Sequence, residues 1–256
     1  MDFTFKTYKS LLNQLLDSGY GFQTLKEYLE KPIQKVVLLR HDVEAKYPNA
    51  LQFAQIQNQL GIKGTYYFRF LKNHYDSGII KKIADLGHEI GYHYDDLSFY
   101  KGDYNKAIIR FGNNLKTLRE LADVNTICME GAPISKYDNR NLWKKYKLED
   151  FGITGEPYFN LDFNKIYYLT DTGRNWGQQF SVRDRVNHPG FQIKQFKNTQ
   201  DIIGALEHND LPEQMMMTFH PQRWNDDFGA WLWELIFQNI KNQVKAVLIQ
   251  RRGVGK

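Results

Sequence analysis

The feature that most constrains the fold is an alternation of two periods. Four times between Val36 and Tyr146, a short apolar run gives way to a helical stretch. The spacing predicts strands over 36–40, 64–70, 89–93 and 126–130, and helices over 48–60, 76–86, 103–122 and 139–146. Pro48 suits a first helical turn, and Gly61 and Gly87 suit helix stops. The pattern resumes with a helix over 199–207 and a strand over 215–219. A last amphipathic helix, 228–247, carries Trp231, Trp233, Leu235 and Ile236. Strand-then-helix order implies a parallel sheet with helices outside it. At 256 residues, a closed or partly closed barrel fits as well as an open sheet.

The remaining stretches are less regular. Residues 7–17 set Tyr8, Leu11, Leu12, Leu15 and Leu16 on one helical face, Gly19 and Gly21 break it, and a second helix covers 24–29. Residues 151–172 read as two strand segments, and 173–198 as loop with one more strand, 192–196. With no repeat, linker or low-complexity tract, the chain reads as one domain, 1–256, with 1–32 as a helical extension.

Bulk properties narrow the function classes. Net charge is +5, yet no block of five or six basic residues stands out, which argues against nucleic acid as partner. Arg251-Arg252 reads as a solvated tail. A single cysteine, Cys128, excludes an intrachain disulfide. Met1 to Lys6 has no signal-peptide character, and no apolar run approaches the roughly 18 residues of a membrane span. The expectation is a soluble, cytoplasmic protein without a transmembrane segment, of open oligomeric state. Aromatic content of 15% suits either a stacking groove or an aromatic core.

Three of the strands end in ionisable residues, which core packing alone does not ask for. Leu38-Leu39 runs into Arg40-His41-Asp42-Val43-Glu44; Ile90-Gly91-Tyr92 into His93-Tyr94-Asp95-Asp96; Met217-Thr218-Phe219 into His220. In a parallel barrel, active groups gather at the strands' C-terminal ends. A carboxylate and imidazoles converging there suit a divalent metal with a position open for water. Such a metal lowers the pKa of its water toward about 7 and polarises a carbonyl. Asp42 and His93 are the expected metal ligands, and His41 and His220 the expected base and acid. Arg40, Glu44, Tyr94, Asp96, Glu130, Ser135, Asp171, Arg174, Arg223 and Trp224 are expected to line the substrate groove, with Glu156 and Lys136 near it. His88 is expected to bond a loop, and His74, His188 and His208 to be surface residues.

Here the chain resembles a family. Gly87-His88-Glu89-Ile90-Gly91-Tyr92-His93 is similar to the second motif of the polysaccharide deacetylases, carbohydrate esterase family four. Leu39-Arg40-His41-Asp42-Val43 sits where those enzymes carry Thr-Phe-Asp-Asp-Gly, and Thr218-Phe219-His220 where their last motif supplies a histidine. The resemblance covers about residues 33–225. It implies an α/β fold, a distorted (β/α) barrel of about seven strands, here with N-terminal helices. Asp42 then matches the metal-binding aspartate, His93 the first metal-binding histidine and His220 the acid.

The departures are as informative. His41 stands where the family has its base aspartate, and Leu97 where it has its second metal histidine. Glu130-Gly131-Ala132-Pro133 lacks the family's motif arginine. An Arg-His-Asp-Val-Asp first motif marks a divergent branch associated with surface-polysaccharide or lipopolysaccharide synthesis; this chain has Glu44 in its last place. A third metal ligand would come from Asp96, Glu44, Glu130 or His220. Zinc is the first expectation for the metal, with manganese, iron, cobalt or nickel as alternatives. The resemblance implies a metal-dependent hydrolase removing an N-acetyl group from an amino sugar in a surface-polysaccharide precursor. The rivals are a carbohydrate-binding protein on a decayed deacetylase fold and an amide hydrolase for a small non-sugar metabolite.

Overall fold

In a computed structural model, which describes residues 1–70, 75–187, 189–191 and 195–251, most helices begin where a short polar side chain can cap them. Thr4 caps α1 (Phe5–Asp17), whose Tyr8, Leu11, Leu12 and Leu15 are buried. The expected break at Gly21 is instead a strand, β1 (Gly21–Gln23). Thr24 and Glu27 close a capping box on α2 (Leu25–Glu30). β2 (Val36–Val43) is buried at every position. α3 (Tyr47–Gln59), β3 (Thr65–Phe68), α4 (Ser77–Asp85) and β4 (Glu89–Tyr94) follow. Asp76 and Asp103 cap α4 and, after a single-turn α5 (Asp96–Phe99), α6 (Tyr104–Arg119).

β5 (Ile127–Met129) leads into a 3-10 segment, Asn139–Lys144, where the spacing predicts an α-helix. The first strand expected within 151–172 is replaced by the 3-10 turn Glu149–Phe151, a bridge from Gly155 to Thr126, and α7 (Pro157–Asn160). β6 (Tyr167–Thr170), α8 (Thr199–Glu207), β7 (Gln214–Phe219) and α9 (Phe228–Arg251) complete the order. Most of the strand expected at 192–196 lies outside the described residues, as do His74, His188 and the Arg251-Arg252 side chains.

The seven strands form one parallel sheet in the order β5-β4-β3-β2-β7-β6, with β1 beside the start of β2. It curls into a half-barrel flanked by helices, the α/β architecture expected. Because strand side chains alternate, each strand serves two compartments. Val37, Leu39, Tyr66, Ile90, Tyr92 and Phe219 pack outward under the helices. Val36, Leu38, Tyr67, Cys128, Tyr168 and Met216 point into the curl. Gly91 is required there, since a Cβ would lie 2.4 Å from the Tyr67 ring. That ring instead crosses the interior, its hydroxyl 3.2 Å from Thr126 Oγ1.

α2 closes the lower end of the curl. Half-buried Glu89 accepts from Thr65 Oγ1 and from the Lys26 N–H of α2. The upper end, at the strands' C-termini, stays open and holds a cavity of about 480 Å³.

Candidate metal centre at the strand ends

The inward alternation brings Asp42, Arg69, His93, Glu130 and His220 to the cavity wall, one each from or just after β2, β3, β4, β5 and β7. His93 Nδ1 lies 3.0 Å from the Cys128 carbonyl, which only accepts, so Nδ1 carries the proton. His93 Nε2 then faces Glu130 Oε2 at 3.3 Å and Asp42 Oδ2 at 3.8 Å. A backbone carbonyl orienting the ring is the usual arrangement behind a metal-binding histidine. Glu130 Oε1 accepts the Ala132 N–H at 2.9 Å, whereas the buried Oε2 has no hydrogen-bond partner among the described residues.

The electrostatics fit a cation at this point. Burial alone would lower the His93 pKa, but Asp42 and Glu130 outweigh it and push the imidazole up to about 9. Burial would raise Asp42 and Glu130. Arg40 and His93 hold Asp42 below its ordinary value, and His93 and Arg69 hold Glu130 well below it. Two carboxylates thus stay ionised around one imidazole nitrogen, an oxygen-and-nitrogen donor set that suits zinc. Two groups of possible donors share His93, one with Asp42 and Cys128 and the other with Glu130 and Glu44. One feature opposes this. Arg40, itself buried, takes both Asp42 oxygens, at 2.8 and 2.7 Å, and also donates to Tyr158 Oη at 2.8 Å.

A second pair flanks the centre. His220 Nδ1 lies 2.5 Å from Asp171 Oδ1, while the His220 N–H and Trp224 Nε1 donate to Asp171 Oδ2. His220 Nε2 is left facing the cavity, 3.8 Å from Glu44 Oε1. Asp171 is fully buried, and His220 and Arg223 hold its carboxyl far below the usual range despite burial, which acts the other way. Such a His-Asp pair fixes a tautomer and presents one nitrogen for proton transfer.

The structure places the expected residues unevenly. Arg40, Asp42, Glu44, His93, Glu130, His220 and Arg223 line the cavity. His41 does not. Arg40 and Asp42 face inward on β2, so the residue between them must face outward. Its Nδ1 bonds the Thr65 carbonyl and its Nε2 accepts from Gln57, with Tyr66 stacked at 4.1 Å. Burial lowers its pKa to about 3. The expected base is therefore a structural histidine. Tyr94 goes outward by the same rule, toward Phe111 and Trp143, while Asp96 opens α5 beyond the strand and pairs with Arg110 at 2.6 Å. Leu97 is core.

Asp171 stands behind His220 rather than in the groove. Trp224 is fully buried among Phe3, Phe53 and Phe219. Arg174 donates to the Arg223 carbonyl and lies over the Phe3 and Trp231 rings. Ser135 accepts from Tyr137 N–H and Arg183, outside the cavity lining. Glu156 is buried beside Met129 N and Tyr158 N; Lys136 is exposed near the rim; His208 is exposed at the end of α8. His88 bonds Gly64 N and the Ala54 carbonyl, as expected of it. The expectations missed Arg69, Asp184, Glu234 and Lys245, which also line the cavity. Arg69 was within reach, because it closes the run Tyr66-Tyr67-Phe68 two places after inward Tyr67.

No family model and no curated protein matches the chain. Among solved structures, the catalytic domain of a peptidoglycan N-acetylglucosamine deacetylase from Eubacterium rectale is similar at 15% identity and a TM-score of 0.48, over 84% of this chain and 86% of that one. A family 4 carbohydrate esterase from Bacillus anthracis is similar at 10% and 0.41, over 91% and 85%. A mutant of a pseudoenzyme of the same esterase family, with restored activity, is similar at 13% and 0.45; it matches 84% of this chain, which spans 64% of that one. The likeness is one of fold.

Proposed function

We propose that this chain is a metal-dependent hydrolase that removes an N-acetyl group from an amino sugar in a surface-polysaccharide precursor, acting in the cytoplasm. The observation that carries the proposal is that His93 Nε2 faces two carboxylates, Asp42 Oδ2 and the Glu130 Oε2 that makes no hydrogen bond among the described residues. Asp42, His93 and Glu130 would hold the ion, zinc first, with Glu130 taking the part that Leu97 cannot. Once bound, a divalent metal polarises an amide carbonyl and makes its water acidic.

The rest falls to the chain's own residues. Glu44, the next inward position after Asp42, replaces His41 as the candidate base. Asp171 keeps the His220 Nδ1 proton in place, so Nε2 can take up the proton that Glu44 removes and pass it to the departing amine. Arg69, Arg223 and Lys245 give the cavity a cationic wall for anionic groups on the precursor.

The Arg40 clamp on both Asp42 oxygens favours a second reading, a metal-free carbohydrate-binding protein. Zinc titration followed by acetate release from N-acetylhexosamine conjugates separates the two. The hydrolase binds one ion per chain and releases acetate only with Asp42, His93 and Glu130 intact. Metal-independent sugar binding without acetate release supports the second reading.

A further inference from the structure

Half of the large apolar side chains exposed among the described residues belong to one element, α9. Trp233, Phe237, Ile240, Val244 and Val247 follow a four-three spacing along it, and Leu232 and Ile236 widen the stripe. Trp233 is 67% exposed and Ile240 60%. The opposite face is polar and buried. Glu234, Gln238 and Asn242 turn inward, Gln238 donating to Asn242 and Asn242 to the Gly173 carbonyl. Glu234, Lys241 and Lys245 line the cavity. A surface helix of a globular protein buries its apolar stripe and wets its polar one. α9 does the reverse, and a contiguous apolar face of this kind marks an interaction site.

Charge and composition identify the occupant. From Phe228 to Gln250 the helix has one acid, Glu234, which faces inward 3.9 Å from Lys46. The stripe itself carries no charge. Beside its middle, the exposed charges are Lys241 on the helix and Lys136 across the cavity mouth, next to Ile134, which is 83% exposed; the exposed acids Asp226 and Asp227 stand just before its first turn. A second copy of the chain would bring the same lysines together without an acid on the helix to meet them. Anionic lipid headgroups complement them. Trp233 and Phe237, stacked 6.4 Å apart on the exposed face, are residue types that settle at the headgroup boundary. The described helices are not long and apolar enough to cross a membrane, so α9, about 36 Å long at 1.5 Å per residue, would lie along the surface.

We propose that the molecule docks on an anionic membrane surface through the outer face of α9. Ile240 and Val244 belong both to this stripe and to the cavity lining. Docking therefore sets the cavity mouth beside the headgroups, where the polar end of a lipid-anchored substrate can enter. The inference goes beyond the hydrolase reading and does not depend on it.

The test is co-sedimentation of the full chain with phosphatidylcholine vesicles, with and without phosphatidylglycerol. Binding to the anionic vesicles is expected, weakening as salt rises. The triple variant Trp233→Ser, Ile236→Ser, Phe237→Ser changes only exposed side chains outside the cavity lining, and a thermal melt confirms that it folds. It should bind at least about tenfold more weakly, since three buried apolar side chains are lost. Lys241→Glu should weaken binding to the anionic vesicles alone. Binding unchanged in the triple variant, or no binding by the parent, overturns the proposal. Concentration-dependent dimers that the triple variant dissolves, without vesicle binding, would assign the face to a second copy. Zinc titration of the triple variant is expected to match the parent, so docking and metal binding fail or stand separately.

Discussion

The two faces of the curled sheet both carry buried histidines, and they use them in opposite ways. On the outer face, His41 and His88 have each ring nitrogen within bonding distance of a partner, and burial lowers their pKa values to about 3 and about 4. On the inner face, His93 and His220 each have one nitrogen tied down and one directed at carboxylates across the cavity. Burial is nearly complete in all four, so exposure does not separate them. Partners do. A histidine with both nitrogens satisfied by backbone and amide groups is structure. One held by a single nitrogen among carboxylates is available for chemistry.

Substitutions on the two faces can break this contrast. The largest effect belongs to the inner face. His93→Ala should lower zinc affinity by at least about 100-fold in calorimetry, since it removes a ligand of the proposed site, where even supporting groups are worth 10–100-fold. It should leave the fold intact. Glu130→Gln keeps the shape and removes a charge, and should cost affinity in the same direction but by less. Asp171→Asn should leave zinc affinity unchanged and lower kcat by about 10–100-fold, because it disturbs only the tautomer and orientation of His220.

On the outer face the readout changes from binding to stability. His41→Ala should leave zinc affinity alone and destabilise the protein by about 2–4 kcal/mol in denaturant titration, from a cavity plus unpartnered Gln57 and Tyr8 groups. The smallest effect is a pH slope. His41 and His88 are neutral when folded and take up protons below about pH 6.5 when unfolded. Their contribution is complete above that pH and is lost as pH falls through 6.5 toward 4. His88→Gln should flatten the acid limb by up to about 1.4 kcal/mol per pH unit. An unchanged limb would mean that His88 is already charged in the folded protein.

The same contrast explains what could be read in advance. The two periods and the glycine stops located nearly all the parallel strands and their helices. Asp42, His93 and His220 followed from apolar runs ending in polar residues. The errors at His41 and Tyr94 share one cause. A polar cluster was assigned to one site, although neighbouring strand residues must face opposite ways. Counting by twos from Asp42 would have kept Glu44 and dropped His41. β1 was hidden because three residues between two helices carry little periodicity. Asp184 and the 3-10 segments depend on long-range contacts that no local pattern encodes. α9 was legible as amphipathic, but which face it buries was not, because the spacing is the same either way round.

The inner strand ends are proposed to form one metal site from Asp42, His93 and Glu130. Anomalous diffraction from crystals soaked in zinc tests it most directly. The account predicts one ion bonded to His93 Nε2 and to oxygens of Asp42 and Glu130 at about 2.0–2.2 Å. An ion elsewhere, or none, with Arg40 still closed on Asp42, would contradict it.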